Sequence, residues 1–518
     1  MSWFPVFEPL LPDIIARHGS WQGDRTALIA GDRRVSWREF ERDTARIADG
    51  LTGLGLQSQE RVAVLMDNSL EMALLMFGIL RSGCVVVPLN VSISDAAVAA
   101  MIADADARAV FASERHCARI DELRRRFESV SRVACVGLGD AGPDWIDFHD
   151  LLAAQPQTLD RHIGPEHVCN IIYSSGTTGV PKGIVHTHRC RMNWAVDMAL
   201  ALRYQSDCVT LCSLGLFSNI TWVAMLATIL VGGTMVVMSA FDAVGAVELI
   251  ERERITHGTF VPVQLERLLA LPGLDRYRLD SLDTIMCCGS PLPLAVKEAF
   301  PRRFGCDLIE LYGLTEGLCT ILSPEDFARK PESVGKPPLG ADLRIIGDDD
   351  RELPRGAIGE VVGLSRLLMT GYHGRDEASA DATWTDSLGR RWLRTGDLGR
   401  LDEEGFLYII DRKKDMILSG GQNIFPADIE VLMREHPDVD EVAVVAACSR
   451  KWGETPVAVV VAKPGSELTR QALIDWANAR VGKQQRISDV IWRTALPRNP
   501  NGKVLKRELR QELAGLIY

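Results

Sequence analysis

The sequence lacks the features that are typical of secreted, zinc-binding and nucleic-acid-binding proteins. No basic start followed by an apolar block opens the chain, so no secretory signal is predicted. None of the 12 cysteines forms a paired Cys-x-x-Cys unit, which argues against a zinc site. We therefore predict reduced thiols in a cytoplasmic protein. The net charge of −11 argues against a nucleic-acid partner. Internal repeats and low-complexity segments are also missing.

One apolar stretch is long enough to cross a bilayer. Residues 217–241 carry no charge, but Gly232 and Gly233 interrupt them, and the β-branched run that follows is typical of a strand. We therefore predict a buried helix at about 219–230, then a turn and a buried strand. No integral membrane segment is expected.

The order of apolar and polar runs predicts a multidomain α/β protein. Residues 60–90 read as strand, helix and strand, the unit of a parallel sheet covered by helices, and similar alternation recurs up to about 320. Short strands with tight turns follow, and the last hundred residues read as a small α+β domain. We predict an N-terminal domain at 1–410, a hinge at 411–415 and a C-terminal domain at 416–518. The N-terminal domain is divided into two α/β parts, 1–165 and 166–330, and a β-rich part, 331–410.

A glycine- and hydroxyl-rich loop, YSSGTTGVPKGI at 173–184, follows an apolar strand. Gly176 and Gly179 allow close backbone approach, and successive N–H groups in such a loop form an anion-binding concavity. Lys182 adds a positive charge. The Walker pattern does not fit, because Pro181 precedes that lysine and Gly183 follows it. The loop predicts phosphate binding of another kind.

This loop resembles the phosphate-loop signature of the adenylate-forming superfamily, which includes acyl-CoA synthetases and the adenylation domains of peptide synthetases. Further motifs resemble those of the family in the expected order: ILRSGCVVVPLN (79–90), LYGLTEG (311–317), RTGDLG (394–399), DRKKDMILSGGQNIFPADIE (411–430) and LPRNPNGKVLKREL (496–509). The resemblance spans nearly the whole chain. It implies a large N-terminal domain and a small, mobile C-terminal domain.

The resemblance also implies the substrates and the residues that bind them. ATP and Mg²⁺ would serve acid activation, with Glu316 as the metal ligand, Thr315 near the α-phosphate and Lys503 stabilising the transition state. Asp397 would bind the ribose hydroxyls, with Arg412 nearby. The remaining implied nucleotide-binding residues are Ser174, Ser175, Gly176, Thr177, Thr178, Gly179, Lys182, Gly289, Ser290, Tyr312 and Gly313.

The second half-reaction requires an acceptor for the acyl group. By resemblance, the C-terminal domain rotates about Lys414 and brings in Ser419, Gly420 and Gly421 to pass the thiol arm of coenzyme A. The alternatives are loading of a carrier-protein thiol and an enzyme specialised for one half-reaction. An ADP-forming phosphotransferase or ATPase and a non-catalytic acyl binder are the rival classes. A monomer or homodimer is expected.

The acyl pocket departs from the family pattern, because Ser218 stands where acyl-CoA synthetases often have histidine. Trp222 either shapes this pocket or belongs to the core. No lysine or arginine stands out as a partner for a second carboxylate, so we expect a hydrophobic monocarboxylic acid. Two interpretations of His186 and His188 are open. Either the two residues form a metal-binding pair, or His188 is a packing residue or orients the phosphate loop. The expected pocket residues are Phe217, Ser218, Asn219, Trp222, Cys288, Gly313 and Leu314.

Overall fold

The computed structural model describes residues 8–131, 133–139, 142, 144–153, 163–174, 181–419, 422–498 and 502–518. The described chain divides into two units. The first contains residues up to 331 together with 337–342 and 364–393, and the second contains 332–336, 343–363 and 394–518.

The first unit contains two eight-stranded sheets and the helices packed on them. One sheet has the order β15-β14-β13-β12-β10-β11-β1-β2, with β1 (Thr26–Ala30), β2 (Arg33–Ser36), β10 (Val209–Cys212), β11 (Thr234–Val237), β12 (His257–Phe260), β13 (Thr284–Cys288), β14 (Asp307–Gly313) and β15 (Cys319–Leu322). The other has the order β18-β9-β8-β4-β3-β5-β6-β7, with β3 (Arg61–Leu65), β4 (Val85–Pro88), β5 (Ala107–Ser113), β6 (Ala134–Leu138), β7 (Ile146–Asp147), β8 (Val168–Ser174), β9 (Lys182–Thr187) and β18 (Gly371–Tyr372).

The helices of this unit lie between the strands in sequence, as expected for parallel sheets. They are α1 (Leu11–Trp21), α2 (Trp37–Gly53), α3 (Leu70–Ser82), α4 (Asp95–Asp104), α5 (Glu114–Arg126), α6 (Glu128–Ser131), α7 (Phe148–Ala153), α8 (His188–Ala201), α9 (Asn219–Val231), α10 (Ala243–Glu253), α11 (Pro262–Leu269), α12 (Leu294–Phe304), α13 (Pro324–Phe327) and α14 (Asp376–Asp381). The predicted unit at 60–90 is confirmed as β3, α3 and β4, with the two strands parallel.

The main hydrophobic core includes side chains from both sheets and from α3 and α9. Every residue of helix α3 except Arg81 is buried, and most of these residues are apolar, as expected for a helix packed on several sides. At Gly78 a Cβ atom would lie 2.5 Å from the Ile47 side chain, so glycine permits the close approach of α3 to α2. Helix α9 confirms the buried helix predicted at 219–230. No described helix is both long and apolar enough to cross a membrane.

A five-stranded sheet follows in the chain, in agreement with the predicted β-rich region. Its order is β16-β17-β20-β19, with β21 paired to β20, from β16 (Ala341–Ile346), β17 (Gly359–Ser365), β19 (Thr383–Thr385), β20 (Arg391–Leu401) and β21 (Leu407–Arg412).

The last part of the second unit is the predicted α+β structure. Its sheet has the order β23-β22-β25-β24, with β26 paired to β25. The elements are β22 (Ile417–Ser419), β23 (Gln422–Ile424), α15 (Pro426–Arg434), β24 (Val439–Ser449), β25 (Gly453–Ala462), α16 (Arg470–Asn478), β26 (Asp489–Arg493) and α17 (Lys506–Leu513).

A buried ion pair joins α12 to β14 in the first unit. Lys297 Nζ lies 2.5 Å from Glu310 Oε2, and each side chain is only 9% exposed. Burial raises the pKa of Glu310, and Lys297 opposes that rise. The pair therefore balances two charges that would each be costly alone.

We predict that Lys297→Met lowers the free energy of unfolding by about 3–5 kcal/mol, because it leaves the Glu310 carboxylate buried without its cation. Urea unfolding of the single variant and of the double variant Lys297→Met/Glu310→Gln measures this. The double variant should recover most of the loss, and equal losses in both would contradict the proposed charge balance.

Candidate active site

The predicted phosphate loop connects two antiparallel strands. Strand β8 ends at Ser174, β9 begins at Lys182, and these two residues are paired in register. The side chain of Ser174 and the predicted loop residues Ser175, Gly176, Thr177, Thr178 and Gly179 lie outside the described residues.

Lys182 is connected to Glu316 through Tyr372. The Lys182 ammonium lies 4.7 Å from the centroid of the Tyr372 ring, within the range of a cation–π contact. The Tyr372 hydroxyl donates to Glu316 Oε1 at 3.0 Å. Burial and the neighbouring Glu316 charge raise the pKa of Tyr372, which keeps the phenol protonated as a donor. A lysine and a carboxylate from separate motifs thus face the same aromatic side chain.

The sequence motifs did not identify Tyr372. It lies on β18, which pairs with β9 beside the phosphate loop, and it also lines a cavity of about 850 Å³. The available signal was an aromatic residue in the glycine-rich run TGYHG, at 370–374.

The backbone around Glu316 has little freedom. Its carbonyl accepts from the Met369 N–H at 2.8 Å. The next residue, Gly317, has φ +112°, and a Cβ atom there would lie 2.0 Å from the Leu367 carbonyl oxygen. Glycine is therefore required for the approach of the two segments that holds Glu316 in place.

His186 connects β9 to the same motif. Its Nδ1 accepts from Arg191 Nη2 at 3.2 Å, because a guanidinium has no acceptor. Its Nε2 therefore carries the proton and donates to the Thr315 carbonyl at 2.9 Å. Burial, and then the Arg191 charge, lower the pKa of His186 well below its usual value, so the ring is neutral.

His188, the first residue of α8, is also buried, and burial lowers its pKa to about 4. The described residues contain no group of three or more His, Cys, Asp or Glu side chains arranged to hold a metal ion.

The predicted purine-binding residues lie at one edge of a sheet. Strand β13 ends at Cys288, immediately before Gly289 and Ser290, and the parallel β14 contains Tyr312 and Gly313. Because carboxyl ends of parallel strands meet at the same edge, these residues are neighbours.

The predicted acyl-pocket residues differ in exposure. Ser218, Cys288 and Trp222 are buried, whereas Phe217, Asn219 and Leu314 are partly exposed. Trp222 is 0% exposed and packs against Phe77 and Arg191, which favours its assignment to the core.

Arg191 was not identified in the sequence, although it contacts Asn219 Oδ1 at 2.9 Å. Arginine on a helix is normally a surface residue, so sequence alone gave no sign that it is completely buried.

In the second unit, Asp397 and Arg412 are paired across β20 and β21. Arg412 Nε lies 2.7 Å from Asp397 Oδ1, and Asp397 is only 3% exposed. Lys414, the expected hinge residue, lies in the turn after β21, and Ser419 ends β22. Gly420 and Gly421 lie outside the described residues.

The charges of Asp397 and Arg412 both act on the side chain of Lys503. Desolvation by the surrounding atoms, and then the Arg412 charge, lower the pKa of Lys503 to about 8. Asp397 and Asp415 oppose this change, and Lys414 reinforces it. Two cations and two carboxylates thus act on the ammonium, and an anionic ligand would further favour its charged form.

Comparisons with known proteins identify the relatives of this chain. The family model of AMP-binding enzymes matches residues 15–373, and the model of the AMP-binding enzyme C-terminal domain matches residues 428–503. The chain is 33% identical over 492 residues to the long-chain-fatty-acid–CoA ligase FadD13 of Mycobacterium tuberculosis, covering 94% of each chain. It is 34% identical over 514 residues to the indoleacetate–CoA ligase of Aromatoleum aromaticum, covering 97% of this chain and 98% of that protein. Among solved structures, ATP-bound MatB from Rhodopseudomonas palustris is 27% identical with a TM-score of 0.86, covering 97% of this chain and 98% of that chain.

We predict that Tyr372→Phe raises the Mg²⁺ concentration needed for half-maximal ATP-dependent activity and lowers kcat/KM about tenfold or more. The variant keeps the ring beside Lys182 but loses a hydrogen bond to a charged carboxylate. A Mg²⁺ titration of ATP–pyrophosphate exchange measures both values. Tyr277→Phe is the matched control, since the Tyr277 hydroxyl has no hydrogen bond among the described residues. An unchanged Mg²⁺ dependence in Tyr372→Phe would contradict the positioning role.

Proposed function

Because the chain belongs to the AMP-binding enzymes, we propose that its site residues serve the two half-reactions of that family. The protein is an AMP-forming acid–thiol ligase. It activates a carboxylic acid with ATP to an acyl adenylate, releasing pyrophosphate, and then forms a thioester with coenzyme A, releasing AMP.

The connection of Lys182 to Glu316 through Tyr372 is the observation that carries the assignment of the first half-reaction. Adenylation brings a carboxylate toward a polyanion, so it requires positive charge and alignment. In the proposal, Lys182 and the loop 174–179 hold the β- and γ-phosphates that leave as pyrophosphate. Thr315 contacts the α-phosphate region.

Mg²⁺ fits the residues at Glu316. Mg²⁺ is usually held by one or two carboxylates together with substrate phosphates, and it does not require a cage of protein ligands. Tyr372 donates to one carboxylate oxygen of Glu316, which leaves acceptor capacity on the group. When bound, the ion would neutralise phosphate charge. The chain's own contribution is to orient that carboxylate through Tyr372 and the backbone at Met369.

Asp397 and Lys503 are the proposed site residues of the second unit. A buried carboxylate with two oxygens suits both ribose hydroxyls, and the ion pair with Arg412 holds the Asp397 side chain in place. Gly289, Ser290, Tyr312 and Gly313 are proposed to hold the adenine. Lys503 would neutralise negative charge that develops between the acid and the α-phosphate.

For the second half-reaction we propose rotation of the C-terminal domain about Lys414. Ser419, Gly420 and Gly421 would then line the path of the thiol, and coenzyme A is the expected acceptor. A carrier-protein thiol, or specialisation for one half-reaction, is the alternative. The proposed acid is a hydrophobic monocarboxylic acid, in keeping with the names of the fatty-acid and indoleacetate relatives. Cytoplasmic location and a monomeric or homodimeric state stay predictions.

A panel of carboxylic acids assayed for products with and without coenzyme A tests the reaction and Lys503 together. The wild type should produce AMP and pyrophosphate. Lys503→Ala should lose adenylation by at least about a hundredfold, since it removes a charge aimed at the transition state. The same variant should still form the thioester from supplied acyl adenylate.

Lys483→Ala is the matched control, because Lys483 is an exposed lysine of the same unit. ADP as the product would indicate a phosphotransferase or ATPase. Equal loss of both half-reactions in Lys503→Ala would contradict its specific role in adenylation.

The pH dependence of adenylation should reflect Lys503. Its pKa of about 8 is below the usual lysine value, so the charged form declines as pH rises through 8. We predict that kcat/KM for pyrophosphate exchange falls above about pH 8, because this parameter reports groups of the free enzyme. Lys503→Arg keeps its charge, so its residual activity should not show this decline. Persistence of the decline in that variant would assign it to another group.

A further inference from the structure

The buried guanidinium of Arg191 has only neutral partners. Nε donates to Asn170 Oδ1 at 2.7 Å and Nη1 donates to Asn219 Oδ1 at 2.9 Å. Nη2 donates to His186 Nδ1 at 3.2 Å, and the group lies 5.0 Å from the Trp222 ring centroid. Arg191 is 0% exposed, and no carboxylate contacts it within the described chain. A buried cation of this kind must orient every acceptor around it.

This one-sided hydrogen bonding fixes the side-chain amide of Asn219. Because Arg191 can only donate, Asn219 must present Oδ1 to it and direct Nδ2 elsewhere. Nδ2 has no partner in the part of the chain that the structure describes, and Asn219 is partly exposed. The residue begins α9, where the acyl pocket is expected. A hydrogen-bond donor of fixed direction therefore stands at that position.

Such a donor has a consequence for the substrate. A hydrocarbon chain placed against Nδ2 would remove its water without supplying an acceptor, which is unfavourable. An oxygen atom on the acyl group would satisfy it. Arg191 itself has no exposed surface, so the substrate would meet the amide of Asn219 and not the guanidinium.

We propose that the acid activated by this enzyme carries an oxygen acceptor on an otherwise apolar acyl group, and that Asn219 binds this oxygen. Arg191 acts as the positioning residue that sets the amide direction. This inference rests on the proposed function, because the acyl pocket is assigned there. It refines the substrate class to monocarboxylic acids with a carbonyl, ether or hydroxyl oxygen in the acyl group.

The test uses octanoate and the oxo-octanoates with the carbonyl at successive positions from C4 to C7. AMP formation is measured for each acid in the full-length enzyme. The wild type should favour at least one oxo acid over octanoate by about tenfold or more in kcat/KM, because the donor is satisfied by one and not the other.

Asn219→Asp is the sharpest variant. Its carboxylate still accepts from Arg191, which protects the fold, but it has no N–H to donate. The preference for the oxo acid over octanoate should fall to about twofold or less. Asn219→Leu should give the same loss of preference. Arg191→Met should reduce the preference as well, with thermal unfolding used to check that the variant is folded.

Two results would overturn the inference alone. If the wild type used octanoate and every oxo acid equally well, the acid would not need an acceptor oxygen. The AMP formed in that case would leave the proposed function intact. A preference retained in Asn219→Asp would assign discrimination to another residue. No AMP from any acid would instead remove the proposed function, and the inference with it.

Discussion

The hydrogen bonding of one buried arginine connects the elements around the first part of the candidate site. Arg191, on α8, contacts Asn170 on β8, His186 on β9 and Asn219 on α9. Since a guanidinium offers donors only, each partner must turn an acceptor toward it. That requirement selects one tautomer of His186, whose other nitrogen then donates to the carbonyl of Thr315. The expected acid-binding helix and the Thr315–Glu316 segment therefore share one hydrogen-bonded chain.

A different electrostatic principle applies around Lys503. Its neighbours include the cations Arg412 and Lys414 as well as the carboxylates of Asp397 and Asp415. With a pKa of about 8, Lys503 loses its proton more readily than an ordinary surface lysine does. Binding of an anionic substrate would favour the charged form again, since an opposite charge raises the pKa of a lysine. The positive charge is thus best stabilised when a phosphate or carboxylate is present to use it.

Much of the fold could be predicted from sequence, because its elements carry clear local patterns. The unit of β3, α3 and β4 and the buried helix α9 follow from apolar runs bounded by turn residues. The residues of the motif RTGDLG were not predicted to form a strand, yet they lie within the long strand β20. The motifs identified Lys182 and Glu316 as candidate site residues. Tyr372 was not identified, because its link to Glu316 joins residues 56 apart and depends on the pairing of β18 with β9. Arg191 was missed for a related reason, since its burial is a property of the assembled core.

The presence of Arg191 in that core is not explained by stability alone. Replacing a buried charged group and its polar partners with well-packed apolar residues is often neutral or stabilising. Asn170 Nδ2 and Trp222 Nε1 are also buried beside Arg191 without hydrogen-bond partners in the described chain, which adds to the cost of the cluster. The arrangement gives its hydrogen-bonding groups a fixed orientation. It fixes the amide of Asn219 and the ring of His186, and a flexible or apolar core could fix neither. Orientation of polar groups toward a substrate is therefore the property that best accounts for a cation buried without an anion.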